Sequence, residues 1–155
     1  MGRAMFYHLT RQPLEDTLPG LLNKALQAGW RVAVRGTDRA RLEWLDERLW
    51  LQPQDGFLPH GLAGGPHDPD QPVLLTDSTL VPNGAACLMT IDDAPVEPAE
   101  AAAFERVCIL FDGHDAAAVA GARARWSALV KAGIHAQYWS EESGRWQMQA
   151  ERVPG

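Results

Sequence analysis

Several features that usually indicate a ligand or a cellular location are missing from this chain of 155 residues. No apolar run approaches the roughly 20 residues that a membrane-spanning helix needs, and the start, Met1 to Tyr7, lacks the long apolar region of a signal peptide. Only two cysteines occur, Cys87 and Cys108, each in a strand-like apolar run without a second cysteine or a histidine at ligand spacing. We therefore expect a cytoplasmic protein with buried free thiols, no membrane contact, no metal and no cofactor.

Basic residues are also fewer than acidic ones in this sequence. Lysine and arginine number 14 against 20 aspartates and glutamates, which gives a formal net charge of −6. Direct binding to a phosphate backbone needs clustered basic residues, so we expect any contact with DNA to be indirect. The local exception is the segment 115–133, where Arg123, Arg125 and Lys131 are accompanied by a single acid, Asp115.

Phosphate-binding motifs of nucleotide enzymes are absent from the whole sequence. Neither GxxxxGK[ST] nor GxGxxG occurs, and the turn after the first predicted strand, 9–13, contains a proline and no glycine. The best remaining candidate for a nucleotide-binding or hydrolytic site is Asp112-Gly113-His114-Asp115, which follows a predicted strand. We favour a turn and helix cap there.

The histidines show no ligand spacing and are predicted to be ordinary surface or loop residues: His8, His60, His67, His114 and His135.

Alternating strand and helix patterns predict the fold class. Strands are predicted at 5–9, 31–35, 73–76, 86–91, 106–111 and 135–139, and helices over 13–28, from Thr37 or Asp38 to 51, from Pro98, and over about 115–132. Pro19 should separate the first turn of the first helix from the rest. We predict a single α/β domain over 1–155, with three layers, a mostly parallel doubly wound sheet, helices on both faces and a C-terminal edge hairpin completed by 145–148.

A long connection between predicted elements carries unusual apolar residues. The segment 52–71 is rich in glycine, proline and histidine, and connections of this length are usually functional or mobile. It contains Phe57-Leu58-Pro59-His60, shortly after a helix that ends in Leu49-Trp50. Large apolar groups on a loop either fold back onto the core or remain exposed for a partner.

The order of these motifs resembles that of a known family. Leu45-Asp46-x-x-Leu49-Trp50, then Phe57-Leu58-Pro59-His60, Arg106-Val107, and Arg123-x-x-Trp126 before Gly133 are similar to the chi subunit of bacterial DNA polymerase III. The resemblance spans nearly the whole chain and implies a non-catalytic accessory subunit of the clamp loader. In that family, chi binds the acidic C-terminal tail of single-stranded DNA-binding protein, which ends in Pro-Phe, and also joins a psi subunit.

The resemblance implies a tail-binding site on the helix predicted over 115–132. An acidic peptide that ends in an aromatic residue and a carboxylate needs a cation beside an apolar pocket. By resemblance, Arg123 would supply the cation and the Trp126 ring would form the base of the pocket. Ser127 departs from the lysine often expected there, and this loss should either weaken binding of the tail or shift the charge contact to Lys131. The alternative is a solvated helix face without a partner. The predicted tail-binding residues are Val119, Arg123, Arg125, Trp126, Ser127 and Lys131.

A second predicted site involves the long connection. By resemblance Phe57 matches the aromatic residue with which the family contacts psi, and Trp50 and Leu58 would extend the apolar patch around it. The alternative for Trp50 and Leu58 is packing over the edge of the sheet, and we favour that alternative for these two residues.

Overall fold

The computed structural model describes residues 3–51 and 58–154 and contains one sheet of eight strands. Within these residues no helix combines the length and apolarity needed to span a bilayer. The strands are β1 (Arg3–Leu9), β2 (Val32–Arg35), β3 (Gly61–Leu62), β4 (Val73–Thr76), β5 (Cys87–Thr90), β6 (Arg106–Asp112), β7 (His135–Ser140) and β8 (Gln147–Arg152). The helices are α1 (Leu14–Gln27), α2 (Arg39–Trp50), α3 (Pro98–Ala103) and α4 (Ala116–Lys131).

The sheet confirms the predicted α/β class. Its strand order is β3-β4-β2-β5-β6-β1-β7-β8, in which neighbours are parallel except for the antiparallel hairpin of β7 and β8. Parallel neighbours need crossover connections, and here those connections carry the helices. The helices that follow the adjacent strands β1 and β6 pack on opposite faces of the sheet. The fold is therefore doubly wound.

Two apolar cores lie on either side of the sheet. Alternation along β1 sends Met5 and Tyr7 toward α1 and α2, whereas Phe6 faces α3 and α4. Both cysteines are free and buried on the α1 side, as predicted. A hydrogen bond with Cys87 and burial hold the pKa of Cys108 well above its ordinary value, so this thiol stays protonated.

The structure confirms one local prediction, because the N-cap of α2 is Asp38, one of the two residues predicted for it, and its side chain accepts a hydrogen bond from the amide of Ala40. Other local predictions were wrong. Pro19 lies within an uninterrupted α1 and does not separate its first turn. The connection 52–71 is partly regular, because it contains β3 and a 3-10 turn at Asp68–Asp70. The last strand is Gln147–Arg152 rather than 145–148, so the hairpin turn is longer than predicted.

An ion pair with a buried arginine, which the sequence analysis missed, joins β2 to α3. Arg35, at the end of β2, is 2% exposed, and its guanidinium donates to both carboxylate oxygens of Glu100 on α3, at 2.8 and 2.6 Å. The same group donates to the carbonyl oxygens of Pro95 at 3.2 Å and Thr79 at 3.4 Å. A buried cation is tolerated only when its partners satisfy it, so Arg35 fixes α3 and two connections against β2.

We predict that Glu100→Gln lowers the free energy of unfolding by about 2–3 kcal/mol, because it leaves the Arg35 cation buried without a counter-charge. The matched control is Asp92→Asn, which removes one charge from the pair between Arg41 and Asp92, whose side chains are 32% and 31% exposed. It should cost less than about 1 kcal/mol. Asparagine also tolerates the positive φ of 53° at this position. Equal effects in urea unfolding would contradict the prediction.

Candidate functional site

A hollow of about 220 Å³ lies between α4 and the C-terminal hairpin. Helix α4 packs on β6 and β7, while β8 lies beyond β7 at the edge of the sheet, so the helix leaves an opening beside the last strand. The lining is largely apolar and aromatic, with two arginines, which is the composition typical of ligand pockets. The lining residues are Phe6, Phe111, Val119, Ala122, Arg123, Trp126, Tyr138, Ala150 and Arg152.

Three aromatic rings form the rigid part of this hollow. Phe6 on β1 is fully buried and is the register partner of Tyr138 on β7. The ring of Trp126 meets the Phe6 ring edge-to-face, with centroids 5.3 Å apart and planes at 68°, and lies 6.3 Å from Tyr138. Edge-to-face pairs are favourable and directional, so these rings hold one another in place.

A histidine behind the hollow supports its aromatic wall. The side chain of His8 forms a hydrogen bond with the Tyr138 hydroxyl, and its ring stacks on Phe111 with centroids 5.0 Å apart. Gly113 makes room for it, since a Cβ there would lie 2.1 Å from the His8 ring and 2.8 Å from the Leu9 carbonyl oxygen. His8 is therefore part of the sheet packing, not the ordinary surface or loop residue that was predicted.

Arg123 supplies exposed positive charge at this hollow. Within the part of the chain that the structure describes, its guanidinium makes no hydrogen bond or ion pair. Burial raises the pKa of the Tyr138 phenol above its ordinary value, and the nearby positive charge of Arg123 opposes that shift. The arginine is thus close to the aromatic wall and can pair with an incoming anion.

The structure brings three of the six predicted tail-binding residues together: Val119, Arg123 and Trp126 line the hollow. Arg125 instead forms an ion pair with Asp93, after β5, and donates to the Asp93 carbonyl oxygen at 2.9 Å. Ser127 and Lys131 are exposed on α4 but do not line the hollow. The strand residues of the lining were missed, because their adjacency to α4 depends on strand order.

A larger crevice, of about 790 Å³, opens at the carboxyl ends of β1 and β6, where doubly wound folds usually bind ligands. The amides of Thr10, Arg11 and Gln12 point at one carboxylate oxygen of Glu141, at 3.0, 3.2 and 3.4 Å. Glu141 is 5% exposed, and the Arg11 guanidinium also donates to the carbonyl oxygen of Glu142. Successive amides of this kind form an anion site, and here the chain's own carboxylate occupies it.

The segment Asp112–Asp115 borders the same crevice. Asp115 caps α4 by accepting from the amides of Ala117 and Ala118, and Asp112 accepts from the amide of His114 at 2.9 Å. These bonds are those of a turn and a helix cap. Among residues 3–51 and 58–154, no group of three or more His, Cys, Asp or Glu side chains is arranged to hold a metal ion.

The predicted apolar patch on the long connection is only partly described. Leu58 is 9% exposed and packs in the core, whereas Trp50 is 49% exposed with its ring 4.1 Å from that of His60. Phe57 lies outside the described residues. His60 was predicted to be an ordinary surface or loop residue, but it is 4% exposed and its ring nitrogens lie 2.7 and 3.1 Å from the carbonyl oxygens of Leu58 and Asp46.

Comparison with known proteins gives a consistent result. A family model described as "DNA polymerase III chi subunit, HolC" matches residues 1–137. A curated relative from Rickettsia prowazekii (strain Madrid E), named "Probable DNA polymerase III subunit chi", is 26% identical over 96 residues. That alignment covers 62% of this chain and 58% of the relative's length. The family match includes α4 and ends within β7, before β8.

We predict that Glu141→Gln lowers the free energy of unfolding by about 1–2 kcal/mol, because a neutral amide oxygen accepts weaker hydrogen bonds from the three amides than a carboxylate does. Glu142→Gln is the matched control, since that side chain is exposed and should change stability by less than about 0.5 kcal/mol. Urea unfolding of both variants checks the prediction. An unchanged stability for Glu141→Gln would show that the anion site contributes little.

Proposed function

This chain belongs to the DNA polymerase III chi subunit family, and we propose that it binds the acidic C-terminal tail of single-stranded DNA-binding protein in the hollow between α4 and β8. In this proposal it is a non-catalytic accessory subunit that connects the clamp loader to that protein. The observation that carries the proposal is an exposed, unpaired Arg123 beside an apolar hollow, among the described residues.

The chemistry of the hollow suits the end of such a tail. A terminal phenylalanine would bury its ring among Phe6, Trp126 and Tyr138, where edge-to-face contacts are available. The terminal carboxylate would accept hydrogen bonds from the Arg123 guanidinium, whose planar fork matches a carboxylate. A net charge of −6 disfavours direct binding to nucleic acid, so the link to DNA would pass through the partner protein.

The crevice at the carboxyl ends of β1 and β6 has features that support a role without catalysis. The anion site after β1, where doubly wound enzymes bind a phosphate, already contains the carboxylate of Glu141. Two of the acids that line the crevice, Asp112 and Asp115, accept hydrogen bonds from backbone amides of the turn and helix cap. A phosphate bound by the amides after β1 would have to displace the Glu141 carboxylate that accepts from them.

We also propose a psi subunit as a second partner, at the end of α2. Trp50 and Leu51, at the end of α2, are 49% and 72% exposed, so two large apolar side chains are accessible next to the connection that carries Phe57. Aromatic anchors contribute strongly to protein interfaces. Leu58 is buried and would act only by supporting this surface.

The psi proposal predicts that Trp50→Ala, in the full chain, weakens co-purification with a psi subunit from the same organism. The expected loss is about tenfold in affinity, because truncating an interface aromatic typically costs more than about 1 kcal/mol. Leu80→Ala is the control, since Leu80 is also a large exposed apolar residue, 73% exposed. Unchanged co-purification of the Trp50 variant would refute this part of the proposal.

The tail proposal predicts that Arg123→Glu abolishes binding of a labelled acidic peptide ending in Pro-Phe, measured by fluorescence anisotropy. The expected loss is about 100-fold or more, since the change removes a charge-assisted contact and adds repulsion. Lys131→Glu makes the same change of charge on the same helix, outside the hollow, and should have a much smaller effect.

Two controls separate the hollow from general charge effects. A peptide whose terminal phenylalanine is replaced by alanine should bind weakly to the unmodified protein, because the aromatic lining then has no ring to bury. Both variants should keep the unmodified protein's thermal midpoint, since their side chains are exposed. Equal losses for Arg123→Glu and Lys131→Glu would contradict a site located in the hollow.

A further inference from the structure

Arg152, the last residue of β8, lines the same hollow as Arg123 but comes from the opposite wall. We infer that Arg152 is a second cationic determinant of the site, which selects for carboxylates upstream of the tail's terminal residue. The inference rests on the proposed function and concerns a residue beyond the segment 1–137 that the family model matches.

Helix α4 alone provides little charge for a ligand with several carboxylates. Arg125 is engaged by Asp93, Ser127 carries no charge, and Lys131 does not line the hollow. Arg123 is therefore the one α4 cation in the lining that the structure describes. A terminal carboxylate paired with Arg123 would leave the upstream acids of the tail without a partner, unless β8 supplies one.

The charge of Arg152 is not neutralised by the acid next to it. The Glu151 carboxylate lies 2.6 Å from Nε2 of His135 and accepts from the Gln137 amide at 2.9 Å. Hydrogen bonds from Gln137 and His135 hold the pKa of Glu151 below its ordinary value. Successive strand residues point to opposite faces, so this acid faces away from the side on which Arg152 lines the hollow.

The position of Arg152 is also held by the backbone. Its guanidinium donates one hydrogen bond to the Glu151 carbonyl oxygen at 2.9 Å. An arginine carries five N–H donors, so this contact orients the group and leaves donors for a carboxylate. The side chain is exposed, so binding a carboxylate does not first require the loss of a buried partner.

The hollow has one apolar end and one cationic end. Phe111 and Val119 lie near the carboxyl ends of the parallel strands, because β6 ends just after Phe111 and Val119 is in the first turn of α4. Glu142 follows β7 at that end. Burial raises the pKa of Tyr138, and the negative charge of Glu142 raises it further, which places that charge near the same end of the hollow. Arg152 pairs with Ala136 at the other end of β7. The upstream acids of a tail would therefore lie toward Arg152.

The test is a double-mutant cycle between the protein and the peptide. The protein variants are Arg152→Glu and the matched control Arg145→Glu, whose arginine is exposed on the same hairpin but outside the hollow. The probes are an acidic tail peptide ending in Pro-Phe and the same peptide with its upstream aspartates replaced by asparagines. Affinities are measured by fluorescence anisotropy, and folding is checked by the thermal midpoint.

We expect Arg152→Glu to weaken binding of the acidic peptide by about tenfold and Arg145→Glu by less than about twofold. With the asparagine peptide, the loss caused by Arg152→Glu should shrink to about twofold or less, because the paired charge is gone. Equal losses for both protein variants, or for both peptides, would overturn the inference. Failure of the unmodified protein to bind either peptide would instead overturn the proposed function.

Discussion

The width of a helix, compared with the spacing of strands in a sheet, determines where this protein has an open surface hollow. A helix with its side chains is about 10 Å across, whereas neighbouring strands are about 4.8 Å apart, so one helix covers roughly two to three strands. Helix α4 packs over β6 and β7, and β8 extends the sheet beyond its reach. The apolar surface left between them becomes a hollow, with Arg123 on the helix side and Arg152 on the strand side.

The carboxylate of Glu141 links the turn after β1 to the turn between β7 and β8. Glu141 fills the anion site formed by the amides after β1, and Arg11 holds the next residue through its carbonyl oxygen. These contacts anchor the turn between β7 and β8, the two strands that carry Tyr138 and Arg152. In other doubly wound folds, the amides after the first strand bind a phosphate. Here they hold the hairpin of β7 and β8, which forms one wall of the hollow.

Three arginines with the same chemistry take three roles according to their partners. Arg35 is buried and paired with Glu100, so its charge stabilises the packing of α3 against β2. Arg125 pairs with Asp93 and connects α4 to the end of β5, where Gly121 leaves space for the carboxylate. Arg123 has no such partner among the described residues, which leaves its charge for a ligand. Burial and pairing, rather than residue type, separate the arginines that stabilise the fold from the arginine whose charge is not paired within the described residues.

The sequence by itself determined the features that depend on neighbours along the chain. Periodicity predicted the α/β class, the buried thiols, and the placement of Arg123 and Trp126 on one helix, because a side chain's direction follows from helix or strand geometry. Only the tertiary structure decided that Arg125 pairs with Asp93, that Glu141 fills the site after β1, and that Phe6, Tyr138 and Arg152 face α4. These contacts join residues far apart in sequence, and strand order, which local patterns do not specify, sets which of them meet.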